Sequence, residues 1–287
     1  GAILFTSTVS ETNHPAGLTS YSELYRYTPG SARPVRLTEH TRYWQPALSP
    51  DGHRAVVVER QGSYSRLRSL DPTTGASALL FSMPETSVKY PTFSPDGERL
   101  AFVINRGGEQ DLVIANIEEP SEDARGDDPG AARGTEDWSG LAEGPESTTE
   151  SGAKEKGDPK PAWRLAQIAN LTSQWEASVY MPRFVSSQEI LFSSDRRGSV
   201  QLFRADVEEG AISLVLADPV GAWAGVPIGD GGTLLYAGYT TNGSALFVGV
   251  GTEERVASGG KPEPLGSATR DDVLDEALET TRTESGF

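Results

Sequence analysis

One four-residue turn constrains this chain more than anything else in it. Ser-Pro-Asp-Gly stands at residues 49–52 and again at 94–97, each time between two apolar runs. Proline sets φ for the first central position, Asp tolerates the second, and Gly takes the positive φ that turns the next strand back. Each copy follows a Pro-x-Leu or Pro-x-Phe tripeptide starting at Pro46 or Pro91, and worn copies of the same stretch begin at Pro182 and Pro227. These four prolines lie 45, 91 and 45 residues apart. A repeat of about 40–45 residues holding four short strands is the signature of a β-propeller blade. The expected fold is therefore all-β: a β-propeller of four-stranded antiparallel blades, about five of them visible.

The best-preserved repeat runs over 91–116, with strands at 91–93, 99–105 and 111–116 and a fourth at 163–170. The repeat before it reads as strands at 44–48, 53–60, 65–70 and 77–81, joined by turns rich in Gly, Pro and Asp. Residues 2–7 match a second strand of a blade, 22–27 a third and 33–37 a fourth, with a long connection over 8–20. This first blade lacks an innermost strand, so upstream sequence or the far end of the chain is expected to supply it. Blade four spans 179–216. Blade five has strands at 225–228, 233–238 and 245–250, and Arg255 and Val256 are placed to begin its fourth.

Charge separates the body from its appendages. The formal net charge of −16 is carried mostly by residues 118–160, with 13 acids and 5 bases, and by 252–287, with 9 acids and 4 bases. The rest is close to neutral. Segment 118–162 has almost no aliphatic residues and cannot offset the ~1–2 kcal/mol per residue of backbone ordering entropy. It reads as a disordered acidic insertion between propeller segments 1–117 and 163–250. Residues 251–287 read as linker followed by a short amphipathic helix over 271–280, or the start of a next domain. An acidic chain without clustered Lys and Arg argues against nucleic acid as a partner. No apolar run approaches the roughly 18 residues of a membrane span.

Catalytic chemistry finds no foothold in the motifs. There is no cysteine, and His14, His40 and His53 lie in different blades without metal-ligand spacing, so no metal and no cofactor is expected. No Gly-x-Ser-x-Gly elbow or phosphate loop is present. The repeated turn aspartates Asp51 and Asp96 have a sufficient role in the turn itself.

Taken together, the order Leu-Thr, connection, Pro-x-aromatic-Ser-Pro-Asp-Gly, strand and Asp-Arg-x-Gly-like turn resembles the TolB-type propeller repeat, a relative of the WD repeat. The residues that carry it are Leu37-Thr38 ahead of Pro46, Leu171-Thr172 ahead of Pro182, Asn105-Arg106-Gly107-Gly108 and Asp195-Arg196-Arg197-Gly198. The resemblance covers roughly 1–117 and 163–250. Blades four and five depart from it, having lost Ser-Pro-Asp-Gly. It implies a non-catalytic, protein- or peptide-binding scaffold of the periplasm or bacterial cell envelope. The alternative it leaves open is a propeller module of a larger hydrolase, prolyl oligopeptidase-type or metallopeptidase-associated, with further domains of the same parent chain as partners.

In such a repeat the loops before the Pro-x-Phe strand and the turns after the second strand share one rim. Binding is expected there, through Trp44, Tyr90, Arg106, Tyr180, Arg183, Arg196 and Trp223, because aromatic and Arg enrichment marks protein-binding hot spots. The competing reading is that the aromatic residues only pack blades together.

Overall fold

The two Ser-Pro-Asp-Gly turns close in the same way in the computed structural model. Gly52 and Gly97 donate their N–H to the carbonyls of Ser49 and Ser94, both at 2.9 Å, and both glycines have φ near +75°. In each turn the serine hydroxyl donates to the aspartate Oδ1, and a backbone N–H two residues beyond the aspartate donates to the same oxygen at 3.0 Å. Asp51 is held below the usual carboxylate range by the Ser49 hydroxyl and the His53 amide. Its carboxylate is consumed by the turn.

The structure describes residues 1–14, 17–119, 161–173, 175–229, 232–252 and 254–256. The acidic segment 120–160 and the proposed helix over 271–280 lie outside them. The chain divides into two compact units, Gly1–Leu171 and Thr172–Phe287.

The first unit holds three antiparallel sheets. Blade one is β1 (Ile3–His14), β2 (Gly17–Tyr27) and β3 (Val35–Arg36), in that order. Blade two is β4 (Tyr43–Leu48), β5 (Ala55–Gln61), β6 (Tyr64–Leu70) and β7 (Ser77–Phe81). Blade three is β8 (Thr86–Phe93), β9 (Arg99–Arg106), β10 (Glu109–Glu118) and β11 (Arg164–Asn170). Within the expected connection over 8–20, residues 8–14 and 17–20 are in fact strand: β1 and β2 pair from Ile3↔Tyr27 out to His14↔Gly17. Residues 6–10 and 19–22 are rich in Thr, Val and Tyr, side chains that suit a strand.

The second unit holds blade four, β12 (Val179–Phe184), β13 (Glu189–Ser194), β14 (Gln201–Asp206) and β15 (Ile212–Leu216), and blade five, β16 (Ala222–Ile228), β17 (Thr233–Thr240) and β18 (Gly243–Val250). The described residues are all-β, and the fold is a β-propeller of antiparallel blades. One strand corrects the reading of the sequence: β19 (Glu254–Val256) pairs with β15 of blade four instead of completing blade five. A Cβ at Gly249 would meet Leu216 Cδ1 at 2.7 Å, and one at Gly251 would meet Val215 O at 3.2 Å. Bare glycines thus let the chain leaving β18 run close against β15, whose free edge takes the strand.

The first strand of each of blades two to five carries a bulge. Pairing slips between Trp44 and Ala47, Lys89 and Thr92, Tyr180 and Arg183, and Trp223 and Val226. The first residue inside each slip has positive φ: Gln45, Tyr90, Met181 and Ala224. Such values are rare outside glycine and persist where the surroundings over-determine them. The Tyr90 N–H donates to Gln45 Oε1 at 2.8 Å and the Ala224 N–H to Ser193 Oγ at 3.1 Å, so the neighbouring blade satisfies the bulge. This register corrects a second expectation. Pro46, Pro91 and Pro182 occupy the second bulge position, but in blade five that position is Gly225, and Pro227 lies two residues beyond it. A Cβ on Gly225 would meet Leu202 Cδ1 at 2.6 Å and Leu191 Cδ2 at 2.9 Å. Blade four fills the space that a proline would need.

The core follows the alternation of the strands. In the first unit Val56, Val58, Leu67, Val88, Leu100 and Phe102 are fully buried in one cluster spanning blades two and three. In the second, Leu191, Leu202, Ala222 and Leu234 join blades four and five. Burial of such side chains contributes roughly 1.5–3 kcal/mol each, so the seams between blades are where stability is concentrated.

Candidate functional site

The site is assembled from an anchor buried beneath it. Glu23 of β2 is fully buried. It accepts hydrogen bonds from Thr38 Oγ1 at 2.7 Å, Thr41 Oγ1 at 2.9 Å and the Thr41 N–H at 3.1 Å, with Arg36 at 3.4 Å. Burial by itself raises its pKa. The two hydroxyls, the amide and the Arg36 guanidinium outweigh burial and leave the carboxyl below its ordinary value. The Leu-Thr of the repeat thus has a physical role, because Thr38 carries the connection from β3 to β4 onto the preceding strand.

That clamp positions Arg42. Ser22 N–H donates to the Thr41 carbonyl at 3.0 Å, and Ser22 forms a parallel bridge with Arg42. The Arg60 N–H then donates to the Arg42 carbonyl at 3.1 Å, which brings the end of β5 alongside. Between them stands Trp44, half-buried, one face packed against the core of blades two and three and the Arg60 guanidinium 5.8 Å from its ring. Cation–π contacts at exposed sites contribute about 0.5–1 kcal/mol. These three residues, with Thr8, Ser20, Tyr21 and Ser22 of blade one, line a cavity of about 370 Å³. Tyr21 is braced edge-on against His40, with ring centroids 4.9 Å apart.

Each residue expected at the rim has a definite place. Trp44 lines the cavity. Tyr90 sits inside the bulge of β8, one position beyond the place that Trp44 holds in β4, and Lys89 takes that place instead. Arg106 is exposed at the end of β9. In the second unit Tyr180 and Trp223 hold the same pre-bulge place as Trp44. Tyr180 Oη donates to Asp195 Oδ2 at 3.4 Å, and Trp223 meets Tyr239 edge-on at 4.4 Å. Arg183 is exposed on the far side of the bulge from Tyr180. Arg196 is buried, its guanidinium 4.3 Å from the Trp175 ring, and burial, with Arg197 beside it, depresses its pKa.

Within the first unit the structure brings Trp44 together with Arg42, Arg60 and Tyr21. Of these, Trp44 is among the residues expected at the rim; Arg60 reads in the sequence as the last residue of a strand, and Tyr21 falls between the connection over 8–20 and the strand over 22–27. Among the described residues no group of three or more acidic or histidine side chains is placed to hold a metal ion, and no helix is long and apolar enough to cross a membrane.

No protein-family model matches the sequence, and no curated protein does. Solved structures do match its fold. TolB from Acinetobacter baumannii superposes with a TM-score of 0.55 at 14% identity over 89% of this chain and 53% of its own. The putative TolB from Agrobacterium tumefaciens gives 0.55 at 17% identity over 88% of this chain and 80% of its own. A puromycin hydrolase variant in complex with PGG gives 0.53 at 15% identity, over 90% of this chain and 39% of the hydrolase. The chain thus spans about half of the first TolB and well under half of the hydrolase.

Proposed function

We propose that this TolB-type propeller is a non-catalytic scaffold that binds a protein or peptide on the rim where the innermost strands begin, and that it works in the bacterial periplasm or cell envelope. The observation that carries the reading is the cavity of about 370 Å³ beside Trp44, with two arginines and two aromatic rings at its edge. Trp, Tyr and Arg are the residues that dominate binding energy at protein interfaces. Its supports are rigid: a buried hydrogen-bonded carboxylate below, paired strands on either side. A pre-organised surface of this kind loses little entropy on binding. The likeness to TolB structures supports the envelope location.

A second reading, a propeller module of a larger hydrolase, is favoured by one observation: most of this chain superposes on a minor part of the puromycin hydrolase. Under that reading the same rim would face a further domain or its substrate.

Peptides selected from a displayed random library on the immobilised chain test the proposal. Hydrogen exchange should show protection at residues 20–22, 42–44 and 58–62 when a selected peptide is added. Protection confined to the opposite ends of the strands would refute it.

A further inference from the structure

We propose that the cavity beside Trp44 recognises a carboxylate, held between the guanidinium groups of Arg42 and Arg60, with the aliphatic or aromatic part of the same ligand residue against Trp44 and Tyr21. The inference deepens the peptide-binding reading of this rim and rests on it.

The charge of this cavity is unmet. Arg42 and Arg60 are both exposed and neighbouring, tied by the backbone bond from Arg60 to Arg42, and no acidic side chain among the described residues pairs with either. The acids that adjoin them in the strands are committed elsewhere. Glu23 is taken by Thr38, Thr41 and Arg36. Glu59, next to Arg60 in the chain, is held by Arg66 at 2.6 Å and Arg68 at 3.3 Å. Both line the same cavity, so an anion entering it meets two guanidinium groups. A carboxylate is the planar acceptor that matches a guanidinium fork. The hydroxyls of Thr8 and Ser22, which also line the cavity, add donors that can reorient.

The walls then select the kind of carboxylate. A free inorganic anion would gain nothing from an indole face and a phenol ring. A peptide residue that joins an anionic end to an apolar stem gains from both. That describes a glutamate or aspartate side chain, or the C-terminal carboxylate of a chain ending in an apolar residue. The shared chemistry is the carboxylate, and the source is a matter for the assay.

Three peptides of equal length, each with one phenylalanine, separate these cases by isothermal titration calorimetry at low salt. One carries an internal Glu and an amidated end, one carries Gln and a free C-terminal carboxylate, and one carries Gln and an amidated end. A carboxylate peptide should bind at least tenfold more tightly than the neutral one, and whichever of the two binds identifies the source. Arg42→Ala and Arg60→Ala should each weaken it about tenfold, or 1.4 kcal/mol. Arg33→Ala, which removes the same charge from an exposed loop, should leave it unchanged. If the neutral peptide binds as tightly and still protects residues 42–44 from exchange, the carboxylate is overturned and the rim reading stands. If Arg33→Ala costs as much as Arg60→Ala, a general field and not this cavity is responsible, and the proposal falls. It falls equally if none of the three peptides binds.

Discussion

Gly75 and Gly52 offer a matched pair for measuring what the seam between blades one and two contributes. Both sit in turns of blade two with nearly equal φ, +77° and +76°. A Cβ on Gly52 meets nothing within 4 Å, whereas one on Gly75 would lie 2.1 Å from the Leu37 carbonyl oxygen and 2.9 Å from its carbon. That atom is backbone, and it cannot retreat freely. The Leu37 N–H is bonded to the Leu24 carbonyl at 2.8 Å, and Thr38 beyond it is clamped on Glu23. Arg26 adds a bond to the Pro72 carbonyl across the same seam. Alanine at either glycine costs about 1–2 kcal/mol for the left-handed conformation, offset by about 0.4–1 kcal/mol from the stiffer unfolded chain. Gly75→Ala adds an overpacking cost of about 1–3 kcal/mol. Gly52→Ala should therefore lower stability by about 0–1.6 kcal/mol, and Gly75→Ala by about 1–4.6 kcal/mol, the difference being the overpacking cost of about 1–3 kcal/mol. At about 2–4 °C per kcal/mol for a chain of this size, the two melting points should differ by about 2–12 °C. Urea unfolding followed by tryptophan fluorescence, with calorimetry alongside, reads the difference. Gly75→Ala should also weaken peptide binding, because the displaced connection carries Arg42. Equal midpoints for the two variants would refute the claim that blade one abuts blade two at this atom.

Other expectations follow from single groups. Because the Glu23 pKa is lower folded than unfolded, its stabilisation is complete above the unfolded value near 4.5 and is lost as pH falls through the folded value. Glu23→Gln should cost about 1.5–3 kcal/mol at pH 7 and flatten the acid limb of the stability curve, and an unchanged acid limb would count against the clamp. Tyr236 is pushed up to about 12 by burial and by its 2.8 Å bond to Asp218. Unfolded tyrosine ionises near 10, so stability should fall as pH rises from about 10 to 12, and Tyr236→Phe should flatten that decline and remove one late step from the ultraviolet titration. Gly225→Pro, which restores the residue that the other blades carry at this bulge, should destabilise by about 1–3 kcal/mol through contact with Leu202 and Leu191. A neutral or stabilised variant in denaturant titration would show that blade five can accept the proline.

The repeat and most of its strands are legible in the sequence. Ser-Pro-Asp-Gly is a local structure: its turn closes through bonds between residues no more than five apart, so two copies at one spacing suffice to announce blades. The roles of Asp51 and Asp96 were legible for the same reason. The length of the β1–β2 hairpin is less so, because a hydroxyl-rich stretch reads equally as connection until pairing is seen. What tertiary structure alone decided is register and partner. The bulge shows that Gly225, not Pro227, matches the repeat proline, since the match depends on which residues of β17 face β16. The partner of β19 depends on glycines that matter only against Leu216 and Val215. Arg42, Arg60, Tyr21 and Trp44 lie up to 39 positions apart in the chain, and no spacing rule gathers them. Glu23, 19 positions before Arg42, gathers them by holding Thr38 and Thr41, and a buried carboxylate has no sequence signature until its hydrogen-bond donors are in place.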